Sequence, residues 1–149
     1  MNKLIKQLRT ETQKELETNI LPFWMDRMLD KERGGFYGRI DGEGHLDAKA
    51  PKGAILNARI LWTFSAAYRI LKKEEYLETA ARAKRYLIDC FYDTDFGGIY
   101  WELDCDGNPL DTKKQIYAIG FAIYGLSEYA RATGDEEAVS YAVRLFEVI

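Results

Sequence analysis

Cysteine and histidine are scarce: the 149 residues hold two of the first and one of the second. Two separated thiols, Cys90 and Cys105, build neither a disulfide framework nor a metal site. Both read as structural thiols of a reducing compartment, Cys90 as a small helical hydrophobe. A basic excess is also missing. The 24 acidic and 21 basic side chains give a net charge of −3, with the signs interleaved, and no nucleic-acid partner is expected. The longest uncharged apolar run, Ile116 to Leu126, falls short of the ~18 residues that suggest a membrane span, so no membrane partner is expected either. The N-terminal stretch carries charges throughout and lacks the apolar core and cleavage site of a secretory signal, which makes the cytoplasm the expected location. No Gly-rich phosphate loop, nucleophile elbow or zinc pattern occurs.

What is present suits a packed core, since 47% of the residues are hydrophobic and 13% aromatic. That amount serves one core, and so one domain or part of one. An internal repeat organises it. Gly34-Gly35-Phe36-Tyr37 recurs as Gly97-Gly98-Ile99-Tyr100, and Asp41-Gly42-Glu43-Gly44 as Asp104-Cys105-Asp106-Gly107, each 63 residues later. Tyr68 and Tyr129, Ala81 and Ala142, and Ile88 and Ile149 continue the match at a spacing of 61. Each unit is about two helices and a loop.

Periodicity predicts five helices, at about Leu4–Leu21, Lys52–Leu71, Glu74–Phe91, Lys114–Thr133, and from Asp135 onward. The first, third and fifth are amphipathic, with one side in water. The second and fourth are apolar almost all the way round and are expected to be buried on every side. Tight turns at Lys72-Lys73 and Gly134 make antiparallel neighbours of helices two and three, and of four and five. The longer connections, Gly34 to Pro51 and Gly97 to Thr112, read as β-hairpins gathered on one face. Alternating outer and inner helices with long loops on one face suggest a double ring of helices, an α/α barrel, with an open solenoid as the other option. Six units of ~62 residues would need ~370, so the chain holds less than half a ring. The apolar cluster in Leu145 to Ile149, without a Gly or Pro stop, suggests a helix meant to be followed by an inner partner.

Candidate chemistry concentrates on the two apolar helices. Arg59 is the only charge between Lys52 and Arg69. If buried, it needs a carboxylate, backbone carbonyls or a ligand, and its place near the long-loop mouth favours substrate. Asn57 and Trp62 share the segment; Trp62 reads as core packing or as a surface that stacks on a sugar. Tyr117 holds a comparable early turn of the fourth helix, either as a core tyrosine or at the site. Tyr37, Tyr100 and Trp101 read as packing of the loop layer. Asp104 to Asn108 looks superficially like a calcium loop, but it lacks the remaining ligands, and a hairpin turn explains it better. His45 lies in the first hairpin turn and reads as solvated.

The stretches Leu21-Pro22-Phe23-Trp24, Gly34-Gly35-Phe36-Tyr37-Gly38, Lys52 through Trp62, Gly97-Gly98-Ile99-Tyr100-Trp101 and Tyr117 through Tyr124 together resemble the N-terminal part of cellobiose 2-epimerases, of the N-acylglucosamine 2-epimerase superfamily. The resemblance covers essentially the whole chain, residues 1–149. It implies an all-α fold, an incomplete (α/α)6 barrel with β-hairpin loops on one face. It also implies C2 epimerisation of the reducing-end glucose of β-1,4 disaccharides to mannose, without nucleotide or metal cofactor. One histidine takes the C2 proton of the ring-opened sugar to give an enediol(ate), and a second returns it. Arg59 matches the family arginine at the sugar oxygens around C1 and C2, and Tyr117 the active-site tyrosine. The family histidines come from later helices, beyond Ile149, and His45 matches neither. The isolated chain is therefore expected to be inactive, and to self-associate through uncovered inner-helix surface. The alternatives are an N-acylglucosamine 2-epimerase or mannose isomerase of the same superfamily, and a helical-repeat protein-binding module. A glycosidase would need a carboxylate pair that this sequence does not offer.

Overall fold

A computed structural model describes residues 2–149. Six α-helices and five short strands follow one another: α1 (Lys3–Glu15), α2 (Leu21–Asp26), β1 (Arg39–Ile40), β2 (Leu46–Asp47), β3 (Lys52–Gly53), α3 (Ala54–Leu71), α4 (Glu74–Tyr86), β4 (Glu102–Leu103), β5 (Pro109–Asp111), α5 (Ile116–Thr133) and α6 (Glu136–Glu147). The five predicted helices are all there. The first runs further than expected, because a π-helical turn at Leu16–Ile20 joins α1 to α2. There the Leu21 N–H reaches back to the Leu16 carbonyl, so Pro22 falls in the first turn of a new α segment, where its missing N–H costs nothing. Helices α3 and α5 begin two residues later than predicted, since Lys52-Gly53 forms strand β3 and Gln115 is the extended cap of α5.

The inner helices α3 and α5 pack side by side, and each is backed by its outer partner, α4 or α6. They come close at Gly125, where a Cβ would stand 2.7 Å from the Ala58 carbonyl oxygen. The core between them holds Leu61, Phe64, Ala118, Ile119, Ala122 and Leu126, with Tyr76 and Ala80 contributed by α4 and Leu87 by the π-helical turn that follows it. Outer helices α4 and α6 are tied by the Lys84 ammonium, which lies 2.7 Å from Asp135 and 2.6 Å from Glu137. The Asp135 side chain also caps α6, accepting from the Ala138 N–H at 2.8 Å. Both tight turns end a helix in left-handed backbone, at Lys72 (φ 57°) and Gly134 (φ 79°).

Strands β1 and β2 form the first hairpin, and β4 and β5 the second. Strand β3, which leads directly into α3, pairs antiparallel with β4. The two loop regions therefore meet at one end of the helices, and the Arg33–Asp106 ion pair (2.9 Å) joins them again. The result is an arc of an (α/α)6 barrel with β-hairpins on one face.

Two burial expectations are corrected. Helices α3 and α5 are not enclosed on every side: each meets the other along one flank, and Arg59, Ile116, Tyr117 and Tyr124 are exposed. Helix α1 has no buried residue at all, and its apolar stripe of Leu4, Ile5 and Leu8 is uncovered. Apolar periodicity marks the surface a helix can bury; neighbours decide how much of it is buried.

Candidate active site

The open flank of the inner helices forms a groove of about 770 Å³, lined by Arg59, Trp62 and Thr63 of α3 and by Ile116, Tyr117, Gly120, Phe121 and Tyr124 of α5. Residues 117, 121 and 124 share one helical face, so their rings form a continuous wall. Tyr117 meets Phe121 edge-on at 5.0 Å, and Phe121 meets Tyr124 edge-on at 6.3 Å. Across the groove Trp62 lies flat against Tyr124, with centroids 4.9 Å apart and planes 8° apart. Arg59 and Tyr117 sit nearer the hairpin end, because both occupy early turns of their helices.

Three of the four candidate residues, Arg59, Trp62 and Tyr117, thus come together. Arg59 differs from expectation in its burial: it is exposed, and among the described residues its guanidinium has no hydrogen-bond or ion-pair partner. It needs no structural carboxylate because the groove leaves it in contact with water. Asn57 is the residue the structure keeps apart. It is buried on the far side of α3, where its amide donates to the Ala83 carbonyl of α4 at 3.0 Å. Two residues before Arg59, it points about 200° away around the helix, which turns ~100° per residue.

What anchors the starts of the two inner helices was missed in the sequence. Asp30 accepts from the backbone N–H groups of Glu32 and Arg33, and its second oxygen lies 2.8 Å from the Lys52 ammonium. Lys52 also donates to the Gly34 carbonyl at 2.8 Å. Arg82 of α4 clasps the same turn through the carbonyls of Asp30 and Gly35. One repeat later Asp93 accepts from Asp95 and Phe96 and pairs with Lys114 at 2.7 Å. Each lysine stands two residues before an inner helix, so each ion pair fixes the start of the helix that carries Arg59 or Tyr117. The signal was available: both aspartates precede a Gly-Gly pair by four residues. Burial alone would raise the Asp30 carboxyl, but hydrogen bonds from Lys52 and Arg33 outweigh it and hold it below the usual carboxylate range. Lys114 is the main cause of the same lowering at Asp93.

Gly34 and Gly35 take positive φ (81° and 62°) over the Tyr86 ring, and a Cβ on Gly35 would stand 2.6 Å from that ring. The Tyr86 hydroxyl is buried without a hydrogen-bond partner among the described residues, and burial pushes its pKa well up. His45 is exposed in the β1–β2 turn, with Nδ1 3.0 Å from Asp41. Asp104 organises the second hairpin turn by accepting from the N–H groups of Asp106 and Asn108 at 2.9 Å each. Both cysteines are free thiols. Among the described residues no helix is long and apolar enough to cross a membrane.

The pattern of the N-acylglucosamine 2-epimerase (GlcNAc 2-epimerase) family matches residues 35–149. The chain is 69% identical, over its whole length, to a cellobiose 2-epimerase of Bacteroides fragilis, and it covers 37% of that protein. It is 47% identical over 140 residues to a cellobiose 2-epimerase of Ruminococcus albus, which covers 94% of the chain and 36% of the relative. Among solved structures, the cellobiose 2-epimerase of Bacillus thermoamylovorans superposes with a TM-score of 0.94 at 46% identity, over 97% of this chain and 37% of the other. The chain therefore spans little more than a third of the length of these relatives.

Proposed function

The chain belongs to the N-acylglucosamine 2-epimerase family, and from that premise we propose that it supplies one wall of the active site of a sugar 2-epimerase acting on the reducing-end glucose of cellobiose and related β-1,4 disaccharides. The observation that carries the reading is Arg59: one guanidinium, free of any acidic partner among the described residues, facing an aromatic groove. Such a wall suits a neutral ligand with apolar carbon–hydrogen faces and a single place where negative charge develops.

In the proposed reaction a base removes the proton from C2 of the ring-opened sugar, and the electron pair moves onto the carbonyl as an enediolate. A proton returned to the opposite face of C2 gives the mannose configuration. Arg59 donates to the oxygens on C1 and C2 as charge builds there, and Tyr117 adds a hydroxyl at the same level of the groove. As the family resemblance implies, the proton-transfer groups in this reading are histidines from outside these 149 residues; His45 is at a hairpin turn and is not among the groove residues. This reading makes the isolated chain inactive. Its uncovered inner-helix surface, Ile116, Tyr117 and Tyr124 on α5, supports self-association of that isolated chain.

Proton NMR of cellobiose in D₂O tests the reading. The chain alone should leave the C2 proton signal intact. The chain joined to the C-terminal helices of the Bacteroides fragilis relative should wash that signal out and yield a mannose reducing end, and Arg59→Ala in the joined protein should abolish both changes. A folded joined protein that exchanges N-acetylglucosamine or mannose but not cellobiose would move the substrate to that sister sugar. Exchange by the chain alone would overturn its assignment as a partial site.

A further inference from the structure

Trp62 and Tyr124 hold the same position in successive repeats, 62 residues apart, and among the described aromatic pairs theirs is the face-to-face one. The ring contacts along the α5 wall are edge-on. Tyr124 is nonetheless 46% exposed, so one face is backed by the indole while much of the ring remains open to the groove. A ring held flat by its neighbour loses little freedom when a ligand settles on it, which makes it a pre-organised apolar surface. Its place along the groove matters as well. Counting ~1.5 Å per helical residue, Trp62 lies ~4.5 Å further from the hairpin end than Arg59, and Tyr124 ~10 Å further than Tyr117. The stack thus lies further along the groove from the hairpin end than Arg59 and Tyr117 do.

We propose that the Trp62–Tyr124 stack is a specificity-determining platform: the carbon–hydrogen face of a pyranose ring rests on it while the hydroxyls of the sugar meet Arg59 and Tyr117. The proposal rests on the sugar-binding reading above and adds to it the surface that fixes where along the groove the sugar sits. Tyr124→Phe preserves the platform, whereas Tyr124→Leu keeps apolar volume and removes the flat ring.

Saturation-transfer NMR on the chain itself, with cellobiose as probe and irradiation confined to aromatic protons, tests this. The wild-type chain and Tyr124→Phe should saturate the carbon-bound ring protons of the sugar. Tyr124→Leu should lower that transfer about fivefold, within the range of a single aromatic contact, with helical circular dichroism unchanged. Full transfer in a folded Tyr124→Leu would overturn the platform and leave sugar binding standing. Because that variant could lose its fold, nuclear Overhauser contacts from sugar protons to the Tyr124 ring are measured in the wild-type chain too, and their absence also overturns the proposal. The activity reading is judged separately, by the D₂O exchange of the joined protein, so the two can fail independently.

Discussion

The Lys52 ammonium lies 2.8 Å from a carboxylate oxygen of Asp30, both side chains almost wholly out of water, and the Lys114–Asp93 pair repeats the contact at 2.7 Å with its lysine more open. Removing one partner of a buried pair leaves the other charge unpaired in a low-dielectric site. Lys52→Met should therefore lower stability by about 3–5 kcal/mol. Lys114→Met should cost clearly less, since the Lys114 side chain is itself partly in water before it is removed. Urea unfolding followed by circular dichroism compares the two.

Acid should find the same pairs. Both aspartates titrate below their ordinary value in the folded chain, so the unfolded chain takes up protons first as pH falls. Their contribution is fully present well above the unfolded aspartate pKa of about 3.9 and is lost as pH drops through the lower folded values. Urea midpoints measured from pH 6 down to pH 2 should be level at first and then fall. In Asp30→Asn, less stable throughout, the acid-side decline should be shallower.

Two glycines on α5 should respond oppositely to alanine. At Gly120 a Cβ meets nothing within 4 Å, and Gly120→Ala should raise stability by about 0.5–1 kcal/mol through helix propensity. At Gly125 the methyl would press on the Ala58 carbonyl oxygen, and Gly125→Ala should cost about 1–3 kcal/mol as α5 is pushed off α3. Thermal melts of the two variants settle the contrast.

Asn57→Ala should destabilise by about 1 kcal/mol through loss of its bond to Ala83. Saturation transfer to cellobiose should stay at the wild-type level, because the side chain faces α4.

Removing the buried, unpartnered hydroxyl in Tyr86→Phe should hold or raise stability by about 1 kcal/mol. Tyr86→Ala should be strongly destabilising, because the ring supports Gly34 and Gly35.

The helices and their pairing were legible because two independent signals agreed, the 3.6-residue apolar period and the repeat that sets Lys72 against Gly134 and Gly34-Gly35 against Gly97-Gly98. The exposure of Arg59 was not legible, since an apolar segment shows that a helix can be surrounded and says nothing of which neighbours surround it. Asn57 was grouped with Arg59 by proximity in sequence, although two residues along a helix lead to nearly opposite sides. The Asp30–Lys52 pair spans 22 residues and follows no local period. Only its recurrence one repeat later could have exposed it. The first helix was read to Leu21, and a π-helical turn carries it on to Asp26.

The contact of Gly125 with Ala58 also governs shape. Small residues let the inner helices nearly touch backbones, whereas α4 and α6 are spanned by the long side chain of Lys84. Each repeat is accordingly a wedge, narrow inside and wide outside, and stacking wedges bends the array. A larger side chain at this crossing would hold α5 off α3 and flatten the arc.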